Sequence, residues 1–174
     1  SSLQNPSHNL DPGESATNSF TLTNTGNTAW TVSAFATSEG TDVSDWVDFE
    51  TPTSRLLSEP GGSQDTTSFE FEITPDDSVE PGSVDVYIQG RAGSNVGCES
   101  LLRVNLGQVH DASLSLSNPS INNVDPGSTT STSMMITNTG NGQDNFAIGV
   151  KDLLPGWQVE LSETYITIDG RHCN

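Results

Sequence analysis

Positive charge is what this sequence lacks most. Lys151 is its only lysine, and the chain carries 5 basic residues against 23 acidic ones, a net charge of -18. Such a surface repels phosphate-bearing partners, which excludes nucleic acid and anionic lipid. It favours solubility, association with cations and tolerance of high salt, where self-repulsion is screened. Residues 1–107 hold 16 acids and 3 bases, and residues 108–174 hold 7 and 2, so the acidity is no tail on a neutral domain. Long hydrophobic runs are also missing. No apolar stretch approaches the ~18 residues of a membrane span, so no direct membrane insertion is expected of this fragment. The sequence has no initiator Met and no signal peptide, as an excised piece of a longer chain would not.

Cysteine is scarce. Cys98 and Cys173 form no CxxC pair and occupy non-equivalent places in the duplication described below. They are expected as free thiols, or paired outside the fragment, rather than with each other, and the redox compartment stays open. Hydrophobic residues make up only 31%, against a globular norm of about 45–50%. The polar remainder is mostly Ser, Thr, Asn and Gly alternating with apolar residues. That is the pattern of a half-solvated antiparallel sheet, not of a disordered chain. No amphipathic helical periodicity is present.

What the sequence does contain is a duplication. Asp11-Pro12-Gly13 recurs as Asp125-Pro126-Gly127, and Asn24-Thr25-Gly26-Asn27 as Asn138-Thr139-Gly140-Asn141, both at an offset of 114. Asn5-Pro6-Ser7 recurs as Asn118-Pro119-Ser120 at 113, and Trp46 as Trp157 at 111. The recurring residues are turn formers. In Asp-Pro-Gly, Pro presets φ near about −65° and Gly takes the positive-φ position of a type II turn. In Asn-Thr-Gly-Asn, Gly and Asn tolerate the left-handed conformation of a tight hairpin. Alternating apolar residues flank each turn. Phe20 and Leu22, then Trp30, Val32, Ala34 and Ala36, flank the first. Met134 and Ile136, then Phe146, Ile148 and Val150, flank the second.

The first copy continues through strands expected at 67–74, 83–90 and 99–107, with a Gly-rich loop at 93–97. That gives seven or eight short strands with turn signals between them, the signature of a sandwich. The second copy stops near Ile168-Asp169-Gly170, and the first strand of the first copy is clipped. The expected fold is all-β: tandem immunoglobulin-like antiparallel β-sandwiches. Domain one spans 1–107 and domain two, truncated to its N-terminal half, spans 108–174. A half-sandwich exposes an apolar face and unpaired edges, and its missing strands are expected in the parent sequence.

The run from Pro12-Gly13-Glu14-Ser15 to Phe20-Thr21-Leu22-Thr23-Asn24-Thr25-Gly26-Asn27, followed by a Trp-containing strand, resembles the Ig-like repeats of the NEW3 and CARDB types. Leu154-Pro155-Gly156-Trp157-Gln158-Val159 is similar to the P-x-G-W-x-V strand of those repeats. Copy one departs from it with Ser44-Asp45-Trp46. The low lysine and strong acidity resemble surface proteins of marine or halophilic archaea. The resemblance covers essentially the whole chain. It implies an extracellular or cell-surface location and a spacer, adhesive or accessory role, with no catalytic residue to carry over.

Catalysis needs a base, a nucleophile and stabilising donors in one pocket. His8 in the first inter-strand loop, His110 at the domain junction and His172 at the end of the chain read as solvated loop histidines. Cys98 has no local base, and Cys173 and His172, as neighbours on a strand, would point to opposite faces. Asp76, Asp77 and Glu80 share one turn and are the candidate ligands for Ca2+, which wants six to eight converging oxygens. Asp42, Asp45 and Asp48 form a second acidic group. Neither has EF-hand spacing. Trp46 and Trp157 share a repeat position and read as core. Trp30 falls where copy two has Asp144, which makes it the candidate for a copy-specific ligand contact such as sugar stacking.

The sequence thus points to a non-catalytic structural or interaction module of a large extracellular or cell-surface repeat protein: a spacer, stalk or adhesin-like element. Its partners would be neighbouring Ig-like domains of the same chain, and other surface proteins or glycans. The alternatives are an accessory domain of a secreted glycoside hydrolase or protease, and a carbohydrate-binding module.

Overall fold

The computed structural model describes residues 1–171. Every regular element among them is a strand, and the strands fall into two compact units, residues 1–107 and 108–174. The chain is all-β, and its unit 1 is a β-sandwich of immunoglobulin-like type.

Unit 1 has nine strands: β1 Ser2–Leu3, β2 Ser7–Leu10, β3 Ala16–Thr23, β4 Trp30–Ser38, β5 Val47–Phe49, β6 Ser54–Leu57, β7 Thr66–Ile73, β8 Gly82–Ala92 and β9 Asn95–Leu106. One sheet has the order β1-β3-β7-β5 and the other β2-β9-β8-β4-β6. The period-2 alternation decides what lies between them. Phe20 and Leu22 of β3 and Phe69, Phe71 and Ile73 of β7 project inward. They meet Val32 of β4, Val86 and Ile88 of β8, and Leu102 and Val104 of β9, all essentially without solvent exposure. Burying each such side chain contributes roughly 1.5–3 kcal/mol. The acids and hydroxyls between them, Glu70 and Glu72 among them, face water.

The Asp-Pro-Gly turns form as the sequence predicts. Gly13 has φ +76° and Gly127 φ +80°, and Glu14 N–H and Ser128 N–H donate to Asp11 O (2.9 Å) and Asp125 O (3.0 Å). The Asn-Thr-Gly-Asn segments differ from expectation. Neither Gly26 nor Gly140 takes a positive φ, and β3 and β4 lie in different sheets. The motif is a crossing between sheets, not a hairpin. What it requires is the Asn side chain. Buried Asn24 donates from Nδ2 to Thr28 O (2.9 Å) and Ser58 O (2.7 Å), and its Oδ1 accepts from Gly26 N–H (3.0 Å). Asn138 repeats this with Gly142 O (2.8 Å), Ile168 O (3.0 Å) and Gly140 N–H (2.9 Å).

Two further differences concern β2 and the glycine-rich stretch. β2 is a strand, not a loop, and pairs parallel to β9 from Ser7↔Arg103 to Leu10↔Leu106. The chain therefore switches sheets between β1 and β2, at Asn5-Pro6. Proline supplies no N–H there, and buried Asn18 holds the switch by bonding both Asn5 O (2.6 Å) and Asn5 N–H (3.1 Å). The stretch 93–97 is no long loop. β8 and β9 are joined by Gly93-Ser94 alone, with Gly93 at φ +61°, where a type II′ turn takes its positive φ. The pairing then shifts from Arg91↔Val96 to Gly90↔Cys98. Gly97 is left as the extra residue of a bulge.

Unit 2 contains β10 Ala112–Leu116, β11 Met134–Asn138, β12 Asp144–Ala147 and β13 Tyr165–Ile168. They form two separate two-stranded sheets, β10-β11 and β12-β13. Both pairings repeat those of unit 1. Leu116↔Met134 corresponds to Leu3↔Phe20, and Asp144↔Ile168 to Trp30↔Leu57. The turn before the shared tryptophan also repeats, with Trp46 N–H on Val43 O and Trp157 N–H on Leu154 O, each 3.1 Å. Thr132, 114 residues after Asn18, takes its role at the second Asn-Pro: its Oγ1 bonds Asn118 N–H (3.1 Å) and Asn118 O (3.3 Å). Burial does not repeat. Trp46 is 5% exposed and Trp157 51%; Val43 is 2% exposed and its counterpart Leu154 68%.

Candidate functional site

The histidines do not converge on a nucleophile among the described residues. His8 lies on β2, half-buried, with Nε2 3.1 Å from Asn18 Nδ2. This corrects its reading as a solvated loop residue. Because Nδ2 of Asn18 also donates to Asn5 O, it is the amide's donor end, so His8 Nε2 accepts and the neutral ring fits the site. Burial accordingly holds the His8 pKa below its ordinary value of 6.5. A folded-state pKa lowered in this way means that unfolding takes up a proton as the solution becomes acidic. The contribution of neutral His8 is complete above the ordinary value and is lost as pH falls through the lowered one. Wild type is therefore expected to lose thermal stability below about pH 6.5 more steeply than His8→Gln. Melting curves of the two across that range check it, with the carboxylates common to both proteins.

His110 is mostly exposed and pairs with Asp144, Nδ1 to Oδ1 at 2.5 Å. Asp144 Oδ1 also lies 3.3 Å from Gln108 Nε2, while its Oδ2 is buried without a hydrogen-bond partner. The position that carries Trp30 in unit 1 thus carries, in unit 2, an acid tied to the segment preceding β10. His172 and Cys173 lie outside the described residues, and so does any bond between Cys173 and Cys98. Cys98 is a half-buried thiol packed over Gly90; a Cβ on Gly90 would sit 2.9 Å from its Sγ.

Asp76, Asp77 and Glu80 share the turn between β7 and β8, but no group of three or more His, Cys, Asp or Glu side chains among the described residues is arranged to hold a metal ion. Asp76 Oδ1 instead caps its own turn, accepting from Ser78 N–H (2.9 Å) and Ser78 Oγ (2.6 Å). Asp42 does the same for Ser44, at 3.0 Å and 2.7 Å. Those hydrogen bonds hold the Asp42 carboxyl below the usual carboxylate range. The spacing D-x-S produces both caps.

Trp30 opens β4 on its inward side, half-buried and packed against the core. Its ring lies over the bulge residue Gly97, where a Cβ would come 2.7 Å from Cη2. This packing accounts for the position of the ring without a ligand. The glycine that makes room for it was legible only as a loop former, because a bulge leaves no periodic mark in the sequence. The open depression beside the first Asp-Pro-Gly turn, lined by Asp11, Glu14, Asn105 and Gly107 among others, brings carboxylates and amides together with no nucleophile.

In unit 1, β3 is paired on both sides, with β1 and β7, and β4 with β8 and β6. Among the described residues of unit 2, the equivalents β11 and β12 each have one partner strand. Leu114, Leu116, Met134, Met135, Trp157 and Tyr165 are all exposed there.

No family model matches the sequence, and no curated protein matches it. Among solved structures the chain is similar to a chaperone–tip adhesin complex of CFA/I fimbriae biogenesis (13% identity, 97% of this chain and 83% of that one, TM-score 0.35). It is similar also to the class 5 fimbriae chaperone CfaA (14% identity, 97% and 84%, TM-score 0.35).

Proposed function

We propose that the chain is a non-catalytic structural and interaction module of a large extracellular or cell-surface repeat protein. The observation that carries this is the kind of residue that recurs. Asn24 and Asn138, the two Asp-Pro-Gly turns and the two strand registers are devices that fix shape. An acidic surface suits a saline exterior, where salt screens the repulsion between neighbouring modules. The resemblance to NEW3- and CARDB-type repeats supports the same reading.

The parent gene tests it. Further copies of the repeat alongside a surface anchor are expected; a hydrolase or protease domain in the same chain would overturn the scaffold reading in favour of the accessory one. A carbohydrate-binding module is separated by a glycan screen of wild type and Trp30→Ala. No binding is expected of either protein, and binding that disappears with Trp30 would make the module a lectin-like one.

A further inference from the structure

Residues 108–111, Gln-Val-His-Asp, stand where a tether between modules would be. They form no regular element and all four are exposed. A flexible spacer is typically rich in Gly and Ser, and this segment has neither. Each of its residues is bonded to the crossing that joins β11 to β12. Gln108 Nε2 donates to Gln143 O (3.0 Å) and lies 3.3 Å from Asp144 Oδ1. Val109 N–H donates to Asn141 Oδ1 (2.7 Å), and His110 pairs with Asp144. Asp111 O accepts from Thr139 N–H (3.0 Å) and Gly140 N–H (3.2 Å), while its Oδ2 accepts from Thr139 Oγ1 (2.7 Å).

The approach is backbone on backbone, and two residues of the crossing permit it. A Cβ on Gly140 would collide with Val109 O and come 3.2 Å from Asp111 N, the kind of close approach that selects glycine. Asn141, 2% exposed, supplies the side-chain acceptor. Both recur in the motif, as Gly26 and Asn27. The clamp made by Asn138 is complete without the Asn141 side chain: it joins Gly142 O, Ile168 O and Gly140 N–H. Asn141 therefore serves something else, and the bond to Val109 N–H shows what. In unit 1, where no such segment is seen, Thr25, Gly26 and Asn27 are all exposed. Gly140 O is taken separately, by Arg171 N–H (2.8 Å).

We propose that residues 108–111 are a docked strap and not a free tether, and that Gly140 and Asn141 form the site on unit 2 that receives it. The site takes an extended stretch of chain. It reads an N–H at one residue, a carbonyl two residues later and, through Thr139, an acid at that second residue. Asp144, where unit 1 has Trp30, is the copy-specific part, holding the side chains of Gln108 and His110. The strap begins at the residue after Gly107, whose N–H is held within unit 1 by Leu10 O (3.0 Å), so no residue is left over as a spacer. This inference does not depend on the scaffold reading, since an accessory or lectin-like module would carry the same strap.

Amide hydrogen exchange of the whole chain, followed residue by residue by NMR, tests it. Val109 N–H is expected to exchange about tenfold or more slowly than in a free chain. Asn141→Ala and, separately, Gly140→Ala should each bring it to the free-chain rate. Ile148 N–H, held by Thr164 O at 2.9 Å, should stay protected in both and reports that unit 2 remains folded. Asn27→Ala, at the matching motif position of unit 1, should leave Val109 unchanged. A Val109 amide that exchanges at the free-chain rate in wild type overturns the proposal, and so does one whose protection survives either substitution in unit 2. Loss of protection at Ile148 together with Val109 would make the substituted residue part of the fold of unit 2 and not an anchor for the strap, which overturns the assignment equally.

Discussion

Trp46→Ala is expected to remove about 3–5 kcal/mol from the stability of unit 1, whereas Trp157→Ala should change stability by no more than about 0.5 kcal/mol. The two residues hold the same place in the repeat and end the same hydrogen-bonded turn. They differ in what covers them. Trp46 is 5% exposed and belongs to the buried cluster formed by both sheets, and Trp157 is 51% exposed. Truncating the first leaves a cavity in a close-packed interior, which the surrounding strands fill only partly. Truncating the second removes a ring that is already half in water and leaves no enclosed cavity. Denaturant unfolding of the two variants checks this, with the third tryptophan, Trp30, as a common fluorescence reference. Equal losses would mean that Trp157 is covered in solution by something the isolated unit does not supply.

Asn24→Ala is expected to cost about 2–4 kcal/mol, since buried groups left without a partner cost about 1–3 kcal/mol each. Its amide serves three backbone groups, Thr28 O, Ser58 O and Gly26 N–H, and the residue is 3% exposed. Asn24→Asp should be no milder. The acid keeps an acceptor for Gly26 N–H but turns a carboxylate oxygen toward two carbonyls in a site nearly without water. Thermal melting of both variants beside Thr25→Ala, whose side chain has no part in the clamp, provides the measurement. A loss below about 1 kcal/mol for Asn24→Ala would show that the loop re-forms its bonds in another way.

These two residues also show how much could be read before the structure. Alternation placed Phe20, Leu22, Phe69, Phe71 and Ile73 on inward faces, because a strand with one wet face must repeat every second residue. The Asp-Pro-Gly turns were legible because proline and glycine each fix a backbone angle by themselves. Recurrence marks Asn24 in the sequence, but its role is a side-chain clamp and not the left-handed turn expected there. An asparagine at a turn and an asparagine that clamps two sheets look alike until the partner carbonyls, such as Ser58 O, are known. His8 does not read as a strand residue because Ser7–Leu10 is short and largely polar, and only its parallel pairing with β9 makes it part of a sheet. Asp76, Asp77 and Glu80 suggested a cation site by proximity in sequence, whereas Asp76 uses one of its oxygens to cap its own turn. Trp30 stood out as the position free to vary between copies. The variation proves to be between a ring over Gly97 and an acid, Asp144, bonded to Gln108 and His110.

The parallel pairing of β2 with β9 has a mechanical consequence. Arg103 N–H holds Pro6 O at 2.9 Å and Gly107 N–H holds Leu10 O at 3.0 Å, with β2 near the beginning of unit 1 and β9 at its end. Because the two strands run the same way, a tension applied between Pro6 and Gly107 pulls them lengthwise past each other. The ladder is then loaded in shear, all its bonds at once, instead of being peeled open one bond at a time as an antiparallel hairpin pulled at its ends would be. A fold held together by modest individual interactions can in this way resist stretching along its length far better than its thermal stability alone would imply.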